Sequence, residues 1–242
     1  GGEGLQARGM GMAGAALLAA SAALHSGAGR VLVALLDGGA LELDMQQPEL
    51  MLRRFDALAL EQLSVVCGCG GGAAVRPLLE PVLQCAAQLV LDADALNAVA
   101  ASAALQQALQ ARGQRGQPTV LTPHPLEAAR LLGHPGAQAV QAHRLHAAAA
   151  LAERFGCVVV LKGSGSVVAV PGQAPSINPT GNALLATAGT GDVLAGMVGA
   201  HLARGASAGD AARAAVFAHG LAADRWPADL PLTASALARR LA

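Results

Sequence analysis

The feature that most constrains the fold of this chain is a repeated alternation between short apolar runs and stretches with helical periodicity. The apolar runs indicate strands, and in chain order they are RVLVALL from Arg30, LSVVC, QLVL, PTVL, CVVVL and SVVAV. Helices are predicted over 12–26, about 73–88, 96–111, 126–133 and 137–155, and nearly all of the chain from Thr190 onward is predicted to be helical. Strands that are apolar on both faces and alternate with helices form a mostly parallel sheet. We therefore expect an α/β fold with a central sheet covered by helices on both faces.

Small or polar residues follow most of these apolar runs. GCGGG, DADALN, TPHP and KGSGS each stand where a predicted strand ends. In open α/β sheets the ligand site usually lies at the carboxyl ends of the strands, so these four segments are the first candidates for a site. Each of them taken alone is equally well an ordinary turn between a strand and a helix.

Composition narrows the class of partner. The 242 residues carry 16 basic and 16 acidic side chains, and this balance gives no footprint for nucleic acid or for a charged membrane surface. A hydrophobic content of 53% can fill the core of a single domain. No apolar run is long enough to span a membrane, and no cleavable export segment is present. We therefore expect a cytoplasmic protein that binds small molecules.

Two scarce residue types add information. Lys162 is the only lysine among the 16 basic residues, so a composition that otherwise uses arginine has kept one lysine. The four cysteines, Cys67, Cys69, Cys85 and Cys157, lack the spacing of a zinc site or of a disulfide framework. Reduced thiols are expected.

A glycine pattern near the start favours a dinucleotide-binding fold at first sight. GMGMAG from Gly9 to Gly14 matches G-x-G-x-x-G, and Asp37 ends the following apolar run. That fingerprint requires a strand immediately before it, and GGEGLQAR contains no apolar run. The pattern is therefore not interpreted as a dinucleotide site.

The segment ATAGTGDVLA indicates an anion site at the start of a late helix. Its two glycines let the backbone amides of Gly189, Thr190 and Gly191 converge, and the positive end of the helix adds to them. Asp192 then lies where a carboxylate can accept the proton of a hydroxyl that attacks phosphorus. The alternative is an ordinary capping aspartate.

Two further segments accompany this one. NPTGN at Asn178–Asn182 lies just upstream, and LKGSGS at Leu161–Ser166 offers a strand end with glycines around the single lysine. The second segment suits the phosphates or ribose of a nucleotide. The chain has no G-x-x-x-x-G-K-[ST], so it is not a P-loop enzyme.

Taken in order, these segments resemble the ADP-dependent NAD(P)H-hydrate dehydratases, a branch of the ribokinase-like superfamily. The resemblance covers essentially the whole chain through GMAGAA, GCGGG, LDADALN, LTPHPLEAARLLG, LKGSGSVVA, NPTGN and ATAGTGDVLAGMVGA. It implies a three-layer ribokinase-like fold and a repair enzyme that uses ADP to convert the S-form of hydrated NADH or NADPH (NADHX, NADPHX) back to the cofactor, with release of AMP and phosphate. It also implies Mg²⁺ on the phosphates and a homo-oligomer, a tetramer in many relatives.

The resemblance assigns roles to residues of this chain. Asp192 is implied to be catalytic, and the hydrated nicotinamide substrate is implied to contact Ala15, Gly70, His124 and Asp192. The adenine nucleotide is implied to contact Lys162, Gly163, Ser164, Gly165, Ser166 and Gly191. Supporting positions are Asp92, Asp94, Asn97, Asn178 and Asn182; no side chain is assigned as a metal ligand.

Several of these assignments have a simpler alternative. His124 lies between two prolines and is either a substrate contact or a rigid turn residue. Asp92, Asp94 and Asn97 either support the pocket or magnesium, or cap the helix that follows. His134, His143, His146, His201 and His219 are expected to be surface or packing residues, and Asp210 a helix N-terminal charge.

The start of the chain departs from the family pattern. Family members usually begin with a strand that runs into a Gly-Gly-Ser loop, whereas this chain opens with GGEGLQAR, so we expect one domain over residues 1–242 that lacks its first strand. Excision from a fusion with an N-terminal epimerase domain would agree with this. Two rival functions are a ribokinase-like kinase for an alcohol such as a vitamin precursor, and a nucleotide-binding module without catalysis.

Overall fold

The computed structural model describes residues 13–36 and 42–241. Its strands are β1 Leu32–Val33, β2 Met51–Leu52, β3 Ser64–Cys67, β4 Gln88–Leu91, β5 Thr119–Leu121, β6 Val158–Leu161, β7 Val167–Ala169 and β8 Ser176–Ile177. Its α-helices are α1 Ala13–His25, α2 Leu79–Cys85, α3 Ala93–Ala100, α4 Ala103–Gln114, α5 Pro125–Leu132, α6 Ala137–Ala142, α7 Arg144–Phe155, α8 Thr190–Ala203, α9 Ala208–Asp224 and α10 Ala234–Ala238. Short 3₁₀ segments lie at Phe55–Ala57, Leu60–Gln62, Gly72–Leu78 and Ala183–Ala186.

The central sheet has six strands in the order β3-β4-β5-β6-β7-β8. The first four are parallel, and β7 and β8 are added antiparallel. β1 and β2 form a separate parallel pair. The expected mostly parallel α/β architecture is therefore confirmed.

Residues of one strand alternate between two apolar clusters, which explains why the strands are apolar throughout. Leu89 and Leu91 face a cluster that includes α2 to α7, whereas Val90 between them faces a second cluster with α1, α8, α9 and α10. Side chains that alternate in this way bury both faces of a sheet. Helices therefore cover the sheet on both sides, and the loops at its carboxyl edge are left to form a site.

Small residues set the position of α8, which carries the candidate anion site. A Cβ added to Gly196 would lie 2.0 Å from the carbonyl oxygen of Ala19 in α1, so only glycine permits this approach of the two helices. A Cβ at Gly199 would lie 2.5 Å from the Val66 side chain in β3. The start of α8 is thereby held close to the ends of the central strands.

The structure differs from the sequence-based prediction in five places, one of which is the helix predicted over 137–155, which is two helices that are separated at His143. The single helix predicted over 96–111 is two helices, because Ser102 caps α4 through a hydrogen bond from the amide of Leu105. The run from Arg30 forms a strand of only two residues, and the helix predicted from about 73 begins as a 3₁₀ segment. β2 and β8 were not predicted.

Some expectations concern parts of the chain without a description. The pattern from Gly9 to Gly14 falls largely outside the described residues, as does Asp37, and the expected absence of a first strand concerns residues 1–12. Within residues 13–36 and 42–241, none of the helices has the length and apolar character that a membrane crossing needs.

Candidate active site

A buried ion pair joins two neighbouring strand ends at the carboxyl edge of the sheet. Lys162 follows β6, and its Nζ lies 2.6 Å from Oδ1 of Asp92, which follows β4. The two side chains are only 19% and 2% exposed. Burial lowers the pKa of Lys162, but the charges of Asp92 and Glu127 outweigh this and hold the pKa above its ordinary value. The single lysine is therefore a fixed, charged group within the site.

The ammonium group reaches the start of α8. A Cβ added to Gly191 would lie 3.3 Å from Nζ of Lys162, so the lysine occupies the space that a larger residue at 191 would need. The amide of Lys162 donates to the carbonyl of Pro123, which ties the KGSGS and TPHP segments together. Three of the segments singled out in the sequence thus meet at one point.

Asp192 lies in the first turn of α8 and is half-buried. Burial and then the charge of Asp92 raise the pKa of Asp192 to about 6. A carboxylate with this pKa is ionised at neutral pH, and its protonation there costs only a small free energy. The side chain does not point into open solvent, as the interpretation of this segment requires.

Cys69 is a site residue that sequence reasoning missed. Its sulfur and a carboxylate oxygen from each of Asp92 and Asp192 lie within 4.8 Å of one another. The residue is 8% exposed, and burial raises the pKa of its thiol well above the ordinary value, which keeps the thiol protonated. The one signal in the sequence was its place in a glycine turn directly after a strand.

The start of α8 presents backbone amides, with one difference from the predicted arrangement. Gly189 precedes the helix with a φ of +88°, a conformation that favours glycine. Among the described residues, the amides of Gly191 and Asp192 donate no hydrogen bond. The amide of Thr190 lies 3.4 Å from the carbonyl oxygen of Thr187, and its hydroxyl donates to the carbonyls of Leu185 and Thr187. Thr190 therefore secures the turn, and the next two amides are available to a ligand; the anion site itself stays a prediction.

The GCGGG turn packs directly against the start of α3. A Cβ at Gly68, where φ is +115°, would lie 1.9 Å from the carbonyl oxygen of Asp92. Asp94 accepts a hydrogen bond of 2.8 Å from the amide of Gly72. Ala93 has a φ of +44°, a strained conformation for a residue with a Cβ. Asp92 caps α3 through the Ala93 amide, so the capping alternative is observed, and its support of the substrate pocket stays a prediction.

His124 is the N-cap of α5. Its Nδ1 accepts from the amides of Leu126 and Glu127, and Glu127 in return accepts from the amide of His124. Burial favours a raised pKa for Glu127, but the hydrogen bonds from His124 and the charge of Lys162 bring the pKa below its ordinary value. The imidazole is thus held as a structural cap with 46% of its side chain exposed, and its contact with substrate stays a prediction.

The KGSGS loop is supported by an arginine that the sequence analysis did not single out. Arg144 at the start of α7 donates from Nη2 to the carbonyls of Leu161 and Gly165, at 3.3 and 3.1 Å. A Cβ at Gly163 would lie 2.5 Å from the same guanidinium group. Within the loop, the hydroxyl of Ser166 donates to the carbonyl of Gly163, while Ser164 is exposed.

The NPTGN segment is clamped onto α9. The amide group of Asn178 donates to the carbonyl of Val216, the hydroxyl of Thr180 to that of Phe217, and the amide group of Asn182 to that of Ala223. The two asparagines therefore hold the loop that leads into α8.

Replacing Gly220 by alanine is expected to destabilise the protein by about 1–3 kcal/mol through overpacking. An added Cβ would lie 2.3 Å from the hydroxyl oxygen and 2.6 Å from the carbonyl carbon of Thr180. Urea denaturation measures the effect. Gly14→Ala is the control, since the exposed Gly14 in α1 has no described atom within 4 Å of an added Cβ, and the change is expected to be neutral or stabilising. Equal effects of the two substitutions would contradict the clamp.

Three other assigned residues lie in the core, in the GCGGG turn and at an exposed contact. Ala15 is buried on α1 in the cluster that also holds Cys69 and Val193, and Gly70, with a φ of +71°, follows Cys69 in the turn. The side chain of Asn97 accepts from Arg130, which is an exposed contact.

The structure shows the surroundings of His219, which was expected to be a surface or packing residue, and of Asp210, which was expected to be a helix N-terminal charge. His219 is buried on α9, where burial lowers its pKa to about 4. Asp210 lies in the first turn of α9 and accepts from the hydroxyl of Ser207.

An apolar cavity borders this site. It has a volume of about 700 Å³ and lies between α1, β1 and β3, where its lining includes Cys69 and Gly70 but neither Asp192 nor Lys162. The GCGGG turn therefore lies between this cavity and the charged groups, with Cys69 next to both. A buried cation, unengaged helix amides and an ionised acid with a raised pKa together suit the transfer of a phosphoryl group to a hydroxyl.

Comparisons with known proteins agree with this chemistry. A sequence profile of the NAD(P)H-hydrate dehydratase family matches residues 8–241. The ADP-dependent (S)-NAD(P)H-hydrate dehydratase of Neisseria meningitidis is 42% identical over 239 residues, which cover 96% of this chain and 79% of that protein. A bifunctional NAD(P)H-hydrate repair enzyme of Escherichia coli is 40% identical over 221 residues, covering 88% of this chain but 41% of the relative, so the chain spans about two fifths of that enzyme.

A solved structure extends the likeness to the fold. The ADP/ATP-dependent NAD(P)H-hydrate dehydratase from Bacillus subtilis, co-crystallised with ATP/Mg²⁺ and soaked with CoA, matches with a TM-score of 0.74 and 28% sequence identity. The match covers 95% of this chain and 85% of the other.

Proposed function

The chain belongs to the NAD(P)H-hydrate dehydratase family, and from this premise we propose that it dehydrates the S-form of hydrated NADH and NADPH at the expense of ADP. The products are the working cofactor, AMP and phosphate. One observation carries the proposal: Asp192, with a pKa raised to about 6, lies at the start of α8 beside unengaged amides and within the reach of the Lys162–Asp92 pair. The protein is thus a lyase with a ribokinase-like fold.

The chemistry follows from the leaving group. Hydroxide leaves a carbon atom poorly, whereas phosphate leaves well, so the ring hydroxyl is first phosphorylated. Asp192 accepts the hydroxyl proton while the oxygen attacks the β-phosphorus of ADP and the bond to AMP breaks. The amides of Gly191 and Asp192 hold the charge on the phosphoryl group in transit. The lone pair of the ring nitrogen then expels phosphate, and loss of a proton from the neighbouring ring carbon restores the reduced nicotinamide.

The nucleotide is assigned to the KGSGS loop. Lys162 brings a fixed positive charge, and the glycines at 163 and 165, both with a positive φ, let the loop pack closely against Arg144 and Ile177. Mg²⁺ fits this site, because carboxylate oxygens of Asp92 and Asp192 lie within 4.8 Å of each other and are the kind of ligand that the ion prefers. The ion would be held by Asp92 and the phosphates, which leaves Asp192 free to accept the proton, and it would neutralise the charge of the phosphates.

Recovery of absorbance in the reduced-nicotinamide band tests the proposal. The protein is incubated with ADP and chemically hydrated NADH, and the S-form is expected to be consumed with one AMP and one phosphate released for each NADH. Failure of this recovery, together with transfer of phosphate from ATP to a vitamin-type alcohol, would identify a kinase instead. Nucleotide binding without either reaction would identify a binding module.

Arg144→Ala is expected to raise the KM for ADP by about tenfold with a smaller effect on kcat, because the substitution removes charged hydrogen bonds that shape the loop, each worth about 1.5–3 kcal/mol. Steady-state kinetics with varied ADP measure the split. Arg213→Ala, an exposed arginine on α9, is the control. A fall in kcat alone would contradict a role in holding the nucleotide loop.

The proposal also includes the cellular compartment and the oligomeric state of the protein. The four cysteines are all unpaired, which favours a reducing compartment such as the cytoplasm. Ile177 on the edge strand β8 and Phe217 on α9 are large apolar residues that are 59% and 47% exposed, and they are available to a homo-oligomer such as the tetramer that the resemblance implies. Sedimentation of the purified chain tests the assembly.

A further inference from the structure

The cluster of Cys69, Asp92 and Asp192 has a donor set that neither phosphoryl transfer nor Mg²⁺ requires. Its three ligand atoms come from three separate elements, the turn after β3, the end of β4 and the start of α8, and they lie within 4.8 Å of one another. Such a spacing lets one ion contact all three after only small side-chain movements. A thiol is a poor ligand for Mg²⁺ but a strong one, as thiolate, for Zn²⁺ and Cd²⁺.

We propose that Cys69, Asp92 and Asp192 bind a borderline-soft divalent cation of the Zn²⁺ type, and that this ion blocks the carboxylate of Asp192. The site has three protein ligands and leaves a fourth position open to water or to an anion. Binding converts the Cys69 thiol to a thiolate, and the displaced proton passes to solvent.

The lone pairs needed for ligation are available. Oδ1 of Asp92 accepts from Lys162 and from the amide of Ala93, but Oδ2 accepts no hydrogen bond among the described residues. The thiol of Cys69, which is more than nine-tenths buried, has the carboxylate of Asp192 as its side-chain hydrogen-bond partner, so this bond lies within the cluster and ligation of an ion would replace it. A buried sulfur directed at two carboxylates is the feature that points to a soft cation.

The local charge also favours a cation. Within the described residues, Lys162 is paired with Asp92, and the charges of Glu127 and Asp94 act on this region from farther away. Carboxylate oxygens of Asp92 and Asp192 lie within 4.8 Å of each other, and a divalent ion would relieve their mutual repulsion. Lys162 can keep its bond to Oδ1 of Asp92 while the ion takes the other oxygen.

Metal titrations of the full chain test the proposal without reference to its activity. The exposed thiol of Cys85 is first removed as Cys85→Ser, so that surface binding does not interfere. In this background, Cd²⁺ is expected to produce a thiolate-to-metal absorption band that saturates at one ion per chain. Calorimetry in excess Mg²⁺ is expected to show one Zn²⁺ site.

Cys69→Ala in the same background is expected to remove the band and weaken Zn²⁺ binding by about 100-fold or more, since a ligand is lost. Cys157→Ala, which removes a different buried thiol, is expected to change neither. If Cys69→Ala does not fold, Cys69→Ser replaces it and is expected to lose the band. Undiminished affinity in the Cys69 variant, a bound ion without the band, or the absence of binding would each overturn the proposal. Inhibition of turnover by Zn²⁺ rests additionally on the proposed function and is scored separately.

Discussion

Asp192→Asn is expected to lower the rate of dehydration by about 10³-fold while leaving ADP affinity within a factor of about three. The amide keeps the shape of the carboxylate but cannot accept the proton of the attacking hydroxyl. The helix amides and Lys162 remain in place, so the phosphates keep their main contacts. Single-turnover kinetics measure the chemical step, and calorimetry measures nucleotide binding.

The stability of this variant tests the raised pKa of Asp192 independently of the enzyme's activity. The pKa of Asp192 is raised from the ordinary 3.8 to about 6, so the folded state binds its proton more tightly than the unfolded state. The stabilisation of the folded state by this proton is fully present at acidic pH and is lost as pH rises through about 6. The wild type therefore becomes less stable than Asp192→Asn between about pH 4 and pH 6, by about 1–2 kcal/mol after allowance for partial exposure.

Activity of the wild type is expected to follow the same group. The rate should decline as pH falls below about 6, where Asp192 takes up a proton. Denaturation at several pH values and a pH–rate profile make the two measurements. A variant that retains turnover, or an acidic limb that persists unchanged in residual activity of Asp192→Asn, would show that another group is the base.

The sequence allowed the layout of this site to be predicted because parallel strands end at one edge. GCGGG, DADALN, TPHP and KGSGS were each recognisable as turns after apolar runs, and the register that pairs Cys67 with Leu91 and Leu91 with Leu121 brings them together. The GTGD segment was recognisable because glycine is not otherwise favoured at a helix start. The order of the strands themselves was not predictable from one sequence.

Other features of the site depend on contacts between distant parts of the chain, which a local sequence pattern does not predict. Cys69 is a site residue only because α8 brings Asp192 close to it. The close approach of α8 depends on Gly196 and Gly199. Arg144 supports the KGSGS loop from the start of a helix that precedes it in the chain. The division of the helix predicted over 96–111 had a visible signal, because Ser102 is a good N-cap residue, but the surrounding alanines have high helix propensity and concealed it.

Lys162→Met is expected to produce the largest loss of stability, about 3–5 kcal/mol, because it leaves the buried carboxylate of Asp92 without its partner. The side chain of Asp92 is 2% exposed, so water cannot replace the ammonium group. Asp92 is expected to take up a proton instead, and the deficit should therefore shrink as the pH is lowered. ADP binding is expected to weaken as well, since the fixed charge beside Gly191 is gone.

The double variant Lys162→Met with Asp92→Asn separates the stability effect from the nucleotide effect. Asparagine can still accept the hydrogen bond from the amide of Ala93 and cap α3, but it is neutral, so most of the lost stability should return. Weak ADP binding should persist, because neither residue restores the positive charge. Arg213→Met is the control, since its pair with Asp210 spans 3.7 Å at the surface and its loss is expected to cost less than about 1 kcal/mol. If Lys162→Met proved as mild as this control, or if the double variant were less stable than the single one, a buried charge pair at the centre of the site would be untenable.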